Sequence, residues 1–517
     1  MTLEITGNDL TFEQLHDVVF QNKKVTLSAS ASERMQASRA VIERLLSSGE
    51  TAYGINTGFG KLASVRISAD QLRQLQINLV RSHACGVGAP LGVAETRAVM
   101  LLRANALAKG LSGVRPVLVE SLCELLNRGV HPVIPSQGSV GASGDLAVLA
   151  HLALVMVGEG QARSGNTTFP GDEALRRAGL TPLTLEAKEG ISLLNGTQGM
   201  LALLSLALDE AATLVDTADV AAALSLDALR GSPGAFDERL MQARPFAGAG
   251  VTARNIARLN RGSQIRESHR SAETDPRVQD AYSVRCTPQV HGAVRDALSQ
   301  ARAVAAIELN SATDNPLVFV HEGGTGQDEL SHKGQGEVIS GGNFHGQPLA
   351  MAADQVAIAL ATLGGIAERR VDQMTNPWTS LLPAFLTPDP GLNSGFMIAQ
   401  VTAAALASET KAFAVPHSVD SIVTSGNQED YVSMGMGAAK RLRPMLDNVR
   451  NILAIELLCA CQGIDLLAPL RTSAAAQRAY ELVRSAAAKV VADRPLATDI
   501  QLVTFIISRG EFAKLLE

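Results

Sequence analysis

The sequence predicts a mainly α protein, an elongated bundle of long helices with a smaller mixed α+β region at the N-terminus. Three observations predict it. Aromatic residues make up only 3% of the 517 residues while Ala, Leu and Val abound, a composition suited to closely packed helices and not to an all-β core. Beyond about Gly110, apolar residues recur at three and four positions over long spans, the period of an amphipathic helix. Between those spans lie polar, Gly- and Pro-rich connections, in which binding and catalytic residues tend to concentrate.

In chain order, residues 1–110 mix strand-like pieces (Leu3 to Ile5, Val25 to Leu27) with helix-like ones (Ser32 to Leu46, Ala69 to His83), and form the first of two expected domains. Residues 111–517 form the second. Its helical spans are Gln198 to Asp227, Gly292 to Ala312, His345 to Asp372, Phe396 to Ala414, Met434 to Leu466 and Ser473 to Ala492. Helices of about 20 to 30 residues measure roughly 30 to 45 Å at 1.5 Å per residue, the basis for expecting an elongated bundle. The stretch His321 to Glu337, rich in glycine, reads as a surface loop.

Bulk properties exclude several function classes. A net charge of -6, with charged residues at 19%, gives no electrostatic reason to expect nucleic acid. Met1 to Asp17 lacks the basic start and apolar run of a secretory signal. Leu146 to Val157 is short and interrupted by His151, and Leu201 to Leu224 carries Asp209, Glu210, Asp216 and Asp219, so no membrane span is expected. A soluble, cytoplasmic protein follows. The five cysteines, Cys85, Cys123, Cys286, Cys459 and Cys461, are odd in number and scattered, which fits reduced thiols. Cys459 and Cys461 diverge on a helix and read as core residues, so no metal is expected.

Two glycine-rich motifs invite familiar readings that fail. Gly54 to Lys61 lacks the spacing of a phosphate loop and has Leu62 where Ser or Thr would bind magnesium. A glycine-rich turn or flap remains, with Tyr53 beside it as a packing residue or a flap-borne acid or base. Gly138 to Asp145 fails as a nucleophile elbow because Asp145 stands where the second Gly is required. Ala142, Ser143 and Gly144 read as an ordinary loop on composition alone, yet they also permit unusual chemistry. With almost no side-chain bulk, the Gly144 nitrogen can approach the Ala142 carbonyl carbon. Closure to a five-membered ring, with loss of water from the ring and from Ser143, leaves an exocyclic methylene. Natural side chains supply no strong carbon electrophile, so difficult eliminations usually borrow one.

With that triad, seven ordered segments resemble the aromatic amino-acid ammonia-lyase family: Tyr53 to Gly60, Ser82-His83, Pro135 to Leu146, Leu194 to Gln198, Gln279 to Cys286, Gly342 to His345 and Asn427 to Asp430. The likeness covers essentially the whole chain. It implies a 4-methylidene-imidazol-5-one group formed from Ala142, Ser143 and Gly144, with no external cofactor, and a homotetramer that shares its active sites. It further implies that the methylene derived from Ser143 engages the substrate amine or, alternatively, its imidazole, and so eases loss of ammonia. By matching position, Tyr53 is the base for the β-proton, Arg285 holds the substrate carboxylate with help from Asn195, and Tyr282, Gln279 and Phe344 line the site, with Tyr282 and Glu429 also counted among the catalytic residues.

Within the family, His83 and Glu429 point to L-histidine, degraded to urocanate and ammonia. The tyrosine and phenylalanine enzymes tend to have an apolar residue or His-Leu at the first position and Gln at the second. An imidazole can pair with both side chains, whereas a phenyl ring would leave a buried carboxylate unsatisfied, at about 1 to 3 kcal/mol or more. The same-family alternative is a tyrosine or phenylalanine ammonia-lyase or aminomutase, and the alternative of another class is a catalytically dead helical scaffold. One departure stands out: the family usually has Pro after Gly144-Asp145-Leu146-Ala147, and here Val148 follows. Altered rigidity is expected at the start of that helix, where Pro is well tolerated, with ring formation intact.

Overall fold

Helix-forming spans interrupted by turn-rich connections fold into helices joined by structured loops. The computed structural model describes residues 2–49, 54–57, 67–271, 273–275, 277–321 and 336–517. Tyr53, the turn residues 58–61 and most of the 321–337 loop, including His332, lie outside the described residues. The chain divides into two compact units. The first comprises Met1–Leu206, Ala303–Ala353 and Pro416–Lys440, and the second Ala207–Arg302, Asp354–Val415 and Arg441–Glu517.

In the first unit the short strands Leu3–Ile5 and Val25–Leu27 pair in parallel, as their alternating side chains suggest. Between them, the helix Phe12–Phe20 starts at a capping box in which Thr11 accepts from the Gln14 backbone and Gln14 reaches back to the Thr11 N–H. The helix Ala29–Ser48 covers the predicted Ser32 to Leu46 span and ends at Gly49 in the left-handed region. Leu72–His83 closes the predicted 69–83 span. Val93–Ala108 is buried along nearly its whole length and forms the centre of this unit.

Several strands in this unit escape the sequence pattern. Val130–Pro132, Gln161–Ser164 and Thr167–Pro170 form a three-stranded antiparallel sheet, Val87–Pro90 pairs with Pro135–Gln137, and Leu317–Phe319 pairs with Glu337–Ile339. Runs of three or four residues are too short to show a period, and their partners are fixed by packing.

Among the described residues the second unit has helices and no named strand. Its core is Leu442–Leu466, where Ile452, Leu453, Ala454, Ile455 and Leu457 are fully buried. Met397–Phe413, Ala474–Ala486 and Ala497–Ser508 pack on it. Cys459 and Cys461 lie buried in the same helix, where desolvation raises both thiols, in keeping with their expected core role.

The long predicted spans appear as Gln198–Ala228, Thr287–Leu309 and Gln347–Thr375, so the expected mainly helical class holds. The predicted Met434 to Leu466 span divides at Arg441 into Gly435–Lys440 and Leu442–Leu466. Among the described residues two helices, Gln198–Ala228, which contains the Leu201 to Leu224 stretch, and Gln347–Thr375, are long and apolar enough to cross a membrane by length and composition alone. Their apolar windows are 67% and 61% buried within the protein, the burial of core helices.

Candidate active site

Small residues let four distant segments of the first unit meet. After the strand Pro135–Gln137 the chain turns through Gly141 (φ +73°), Ser143 (φ +56°) and Gly144 (φ +68°) before entering the helix Leu146–Met156. A left-handed conformation at a non-glycine residue is uncommon and is held here by tertiary contacts. The Gly144 backbone bridges to Gly196, and a Cβ at position 144 would stand 2.0 Å from the Gly196 carbonyl oxygen. Only glycine fits there. Gly346 N–H and the Ser433 hydroxyl both donate to the Gly141 carbonyl, at 3.0 and 2.8 Å, and Met434 N–H donates to that of Val140 at 2.8 Å. The Ala-Ser-Gly turn is thus clamped between 195–200 and 433–435. This tight bend, with no side chain able to intrude at 144, fits the backbone approach that ring closure requires.

Asp145 is the residue that sequence reasoning undervalued. Its N–H donates to the Gly196 carbonyl at 2.7 Å, while its carboxylate accepts from Ser139 Oγ at 2.7 Å and from Met200 N–H at 2.8 Å. Burial pushes this carboxyl up to about 6 against those bonds. The group locks the triad to the start of Gln198–Ala228. Its only signal in the sequence was its place next to Gly144, whereas Ser433, Gly346 and Gly196 act through contacts that no local pattern reveals. Val148 is buried at the third position of its helix, facing Gly199.

The structure brings Ser143 and Glu429 together: the Ser143 hydroxyl donates to Glu429 Oε1 at 3.2 Å. Glu429 Oε2 accepts from Thr424 Oγ1 at 2.8 Å, and the backbones of the same two residues pair. Asn195 ends the short helix Glu189–Leu194 and is buried, with its side-chain oxygen lacking a partner among the described residues. A buried orphan acceptor is rare and suits a ligand donor.

Phe344 is half-buried in the turn before Gln347–Thr375. The next residue, His345, accepts from Gln347 N–H through Nδ1 at 3.3 Å, so its Nε2–H donates to the Tyr431 carbonyl at 3.2 Å. That bond and a stacked contact between the two rings tie the Phe344 turn to the Glu429 loop. His83, the last residue of Leu72–His83, directs Nδ1 to the Leu79 carbonyl at 2.8 Å. No hydrogen bond or ion pair joins His83 to Glu429, and its Nε2 has no hydrogen-bond partner, among the described residues.

Gln279, Tyr282 and Arg285 belong to the second unit. Tyr282 and Arg285 begin and end the short helix Tyr282–Arg285, and the guanidinium lies 4.6 Å from the Tyr282 ring centroid. Tyr282 is 71% exposed, Gln279 is exposed, and the Arg285 Nε is buried without a partner among the described residues. A cavity of about 570 Å³ in the same unit, lined by Leu240, Met241, Arg244, Phe246, Asp296 and Gln300 among others, contains none of the predicted site residues.

A family described as aromatic amino acid lyase matches residues 10–485. The chain is 53% identical over 514 residues to a histidine ammonia-lyase from Koribacter versatilis, spanning 99% of this chain and 98% of the relative. Among solved structures, the histidine ammonia-lyase from Trypanosoma cruzi superposes with a TM-score of 0.89 at 42% identity, covering 100% of this chain and 95% of that one. The tyrosine aminomutase from Streptomyces globisporus gives 0.92 at 38% identity, covering 100% and 98%. Matches of this extent take in the clamped Ala-Ser-Gly turn, the Asn195 segment and the Glu429 loop within one continuous likeness, and the chain belongs to the aromatic amino acid lyase family.

Proposed function

We propose that this protein deaminates L-histidine without oxidation, releasing urocanate and ammonia, and that Ala142, Ser143 and Gly144 form its 4-methylidene-imidazol-5-one group. The observation that carries the reading is the 3.2 Å contact between the Ser143 hydroxyl and Glu429. A carboxylate beside the ring-forming serine offers an acceptor to an imidazole N–H and leaves a phenyl ring unmatched. The relatives named histidine ammonia-lyase support the same substrate.

When formed, the ring supplies a carbon electrophile that eases departure of the substrate amine. The chain's own residues do the rest. Glu429 and His83 hold the imidazole, Arg285 pairs with the carboxylate in a two-pronged fashion with Asn195 assisting, and Gln279, Tyr282 and Phe344 line the site. Tyr53 takes the β-proton, which requires its pKa to fall from an ordinary value of about 10. Residues 1–110 contribute Tyr53 and His83, and 111–517 contribute the ring and the remaining loops.

The assembly is a cytoplasmic homotetramer with shared sites. Ile307 and Met351 in the first unit, and Ile358, Ile398 and Val401 in the second, are exposed on long helices and support burial against other copies. Light scattering checks the tetramer, and mixed assemblies of Tyr53→Phe and Arg285→Ala subunits should regain part of the lost activity.

The deciding experiment compares kcat/KM for histidine, tyrosine and phenylalanine. Histidine should be preferred by about 10⁴ to 10⁵, the discrimination of a site whose polar groups an analogue leaves unpaired. Glu429→Gln should cut histidine turnover sharply, and adding His83→Leu should raise the relative use of the aryl substrates. A wild type that prefers tyrosine would point to the chemistry named for the aminomutase and against histidine.

A further inference from the structure

Arg103 lies in the buried helix Val93–Ala108 with 1% exposure and has no assigned part in the reaction. Its guanidinium forks over the end of the short helix Glu189–Leu194. Nη2 donates to the Ser192 carbonyl at 2.5 Å, while Nη1 donates to the Asn195 carbonyl at 3.0 Å and to Gln198 Oε1 at 2.7 Å. The Gln198 amide passes the chain of bonds on to Thr313 Oγ1 at 2.8 Å. Beside it, the buried Lys188 donates to Ser192 Oγ at 2.8 Å and pairs with Asp314 at 3.3 Å. Burial lowers Arg103 to about 10, with Asp314 opposing, so the group remains a cation at neutral pH.

Gly196 stands between this guanidinium and the ring-forming turn. A Cβ at 196 would lie 2.3 Å from Arg103 Nη1. On its other side the Gly196 carbonyl accepts from Asp145 N–H at 2.7 Å and sits against Gly144. A buried cation facing helix-end carbonyls is favourably placed, and a planar fork holds two carbonyls in a fixed geometry that an ammonium cannot reproduce.

We propose that Arg103 is a positioning residue for the ring-forming turn: it presses the Asn195–Gly196 peptide onto Gly144–Asp145 and so sets how readily the Gly144 nitrogen reaches the Ala142 carbonyl carbon. The proposal rests on the reading in which this triad cyclises. In that reaction the Gly144 nitrogen bonds to the Ala142 carbon. The carbonyl oxygen leaves as water with the Gly144 and Ser143 N–H protons, and the Ser143 hydroxyl leaves as a second water with its Cα hydrogen. No oxidant or reductant is needed.

The test is the intact mass of purified, folded protein, with near-ultraviolet absorbance and kcat/KM measured alongside. Wild type should be lighter than its sequence by two waters. A wild type at full sequence mass would defeat the cyclisation reading itself, an outcome distinct from failure of the Arg103 proposal. Arg103→Lys keeps the charge but cannot bridge Ser192 and Asn195. A large share of its folded chains should retain the two waters, with the absorbance band reduced in parallel and kcat/KM per total chain down about 10- to 100-fold, the cost of losing charge-assisted hydrogen bonds. A role confined to stability would lower Tm and leave every chain fully dehydrated, and that result overturns the proposal. Should Arg103→Lys fail to fold, Gln198→Met, which removes the acceptor that steers Nη1, decides by the same mass criterion.

Discussion

The two units use the same side-chain chemistry to opposite ends. Among the described residues Glu429, in a loop of the first unit and half-buried, accepts hydrogen bonds from the hydroxyls of Ser143 and Thr424 and pairs its backbone with Thr424. Glu456, on the long helix Leu442–Leu466 of the second, is fully buried and fully paired. Its Oε1 accepts from Ser225 at 2.8 Å and from Arg370 Nε at 2.5 Å, and its Oε2 from Arg370 Nη2 at 3.0 Å. The histidines repeat the contrast. His291 donates Nδ1–H to the buried Asp219 at 2.7 Å, and burial holds its pKa down. His83 has one nitrogen tied to a carbonyl and the other unpartnered among the described residues.

Arg370 sits in the buried network, whereas Arg285, in the same unit but on a four-residue helix, lies over the Tyr282 ring and has an Nε without a partner among the described residues. Pairing, more than residue type, separates Glu456, His291 and Arg370 from Glu429, His83 and Arg285. The Glu456 network joins two long helices, Gln347–Thr375 and Leu442–Leu466, while Glu429 sits in a loop and Arg285 on a short helix.

Variants should split along that line. The largest effect is expected of Ser143→Ala, which removes the hydroxyl needed for the second dehydration. Activity should fall by more than about 10³-fold while circular dichroism and Tm stay near wild type, and full turnover by a folded variant would refute the electrophile. Next comes Glu456→Gln, which leaves Arg370 buried without its counter-charge. Removing one partner of such a pair costs about 3 to 5 kcal/mol, to be read as a lower Tm. The fraction of chains that have lost two waters should not change, and a maturation defect there would erase the contrast between the networks.

Arg285→Lys tests the exception in the second unit. Loss of the planar fork should raise KM for histidine about 10- to 100-fold with little change in Tm, whereas a large Tm drop with unchanged KM would place Arg285 among the structural groups. The smallest effect is expected at Asp227, which accepts from Ser263 and Thr472 and is pushed by burial from 3.8 to about 6. Its folded-state pKa lies above the unfolded one. The contribution of Asp227 to stability is therefore complete below about pH 4 and is lost as pH rises through about 6. That rise corresponds to about 3 kcal/mol, part of which an amide with a single acceptor oxygen forfeits, leaving about 1 to 2 kcal/mol. Asp227→Asn should gain on wild type across this window in denaturant titrations and run parallel above it. A constant difference from pH 4 to 8 would remove burial as the cause.

Repeating apolar residues and one run of small residues were the legible features. The spans 198–227 and 345–372 read as helices because their apolar stripes extend over many turns, and the structure gives Gln198–Ala228 and Gln347–Thr375. Ala142, Ser143 and Gly144 stood out because so little bulk in a row permits a bend that other residues forbid. The clamp around them was not legible. Ser433, Gly346 and Arg103 lie hundreds or tens of positions away, and only their bonds to Gly141 and to the Asn195 segment give them a part in the site.

The sequence by itself determined the helical class and the small-residue triad, because each is written in local period or bulk. Tertiary structure alone decided that Gly144 abuts Gly196, that Ser143 turns its hydroxyl to Glu429, and that Asp145 is buried with its pKa raised. Those outcomes depend on which distant backbone atoms come within hydrogen-bonding range and how much water they exclude, quantities set by packing across the whole unit and not by any run of neighbouring residues.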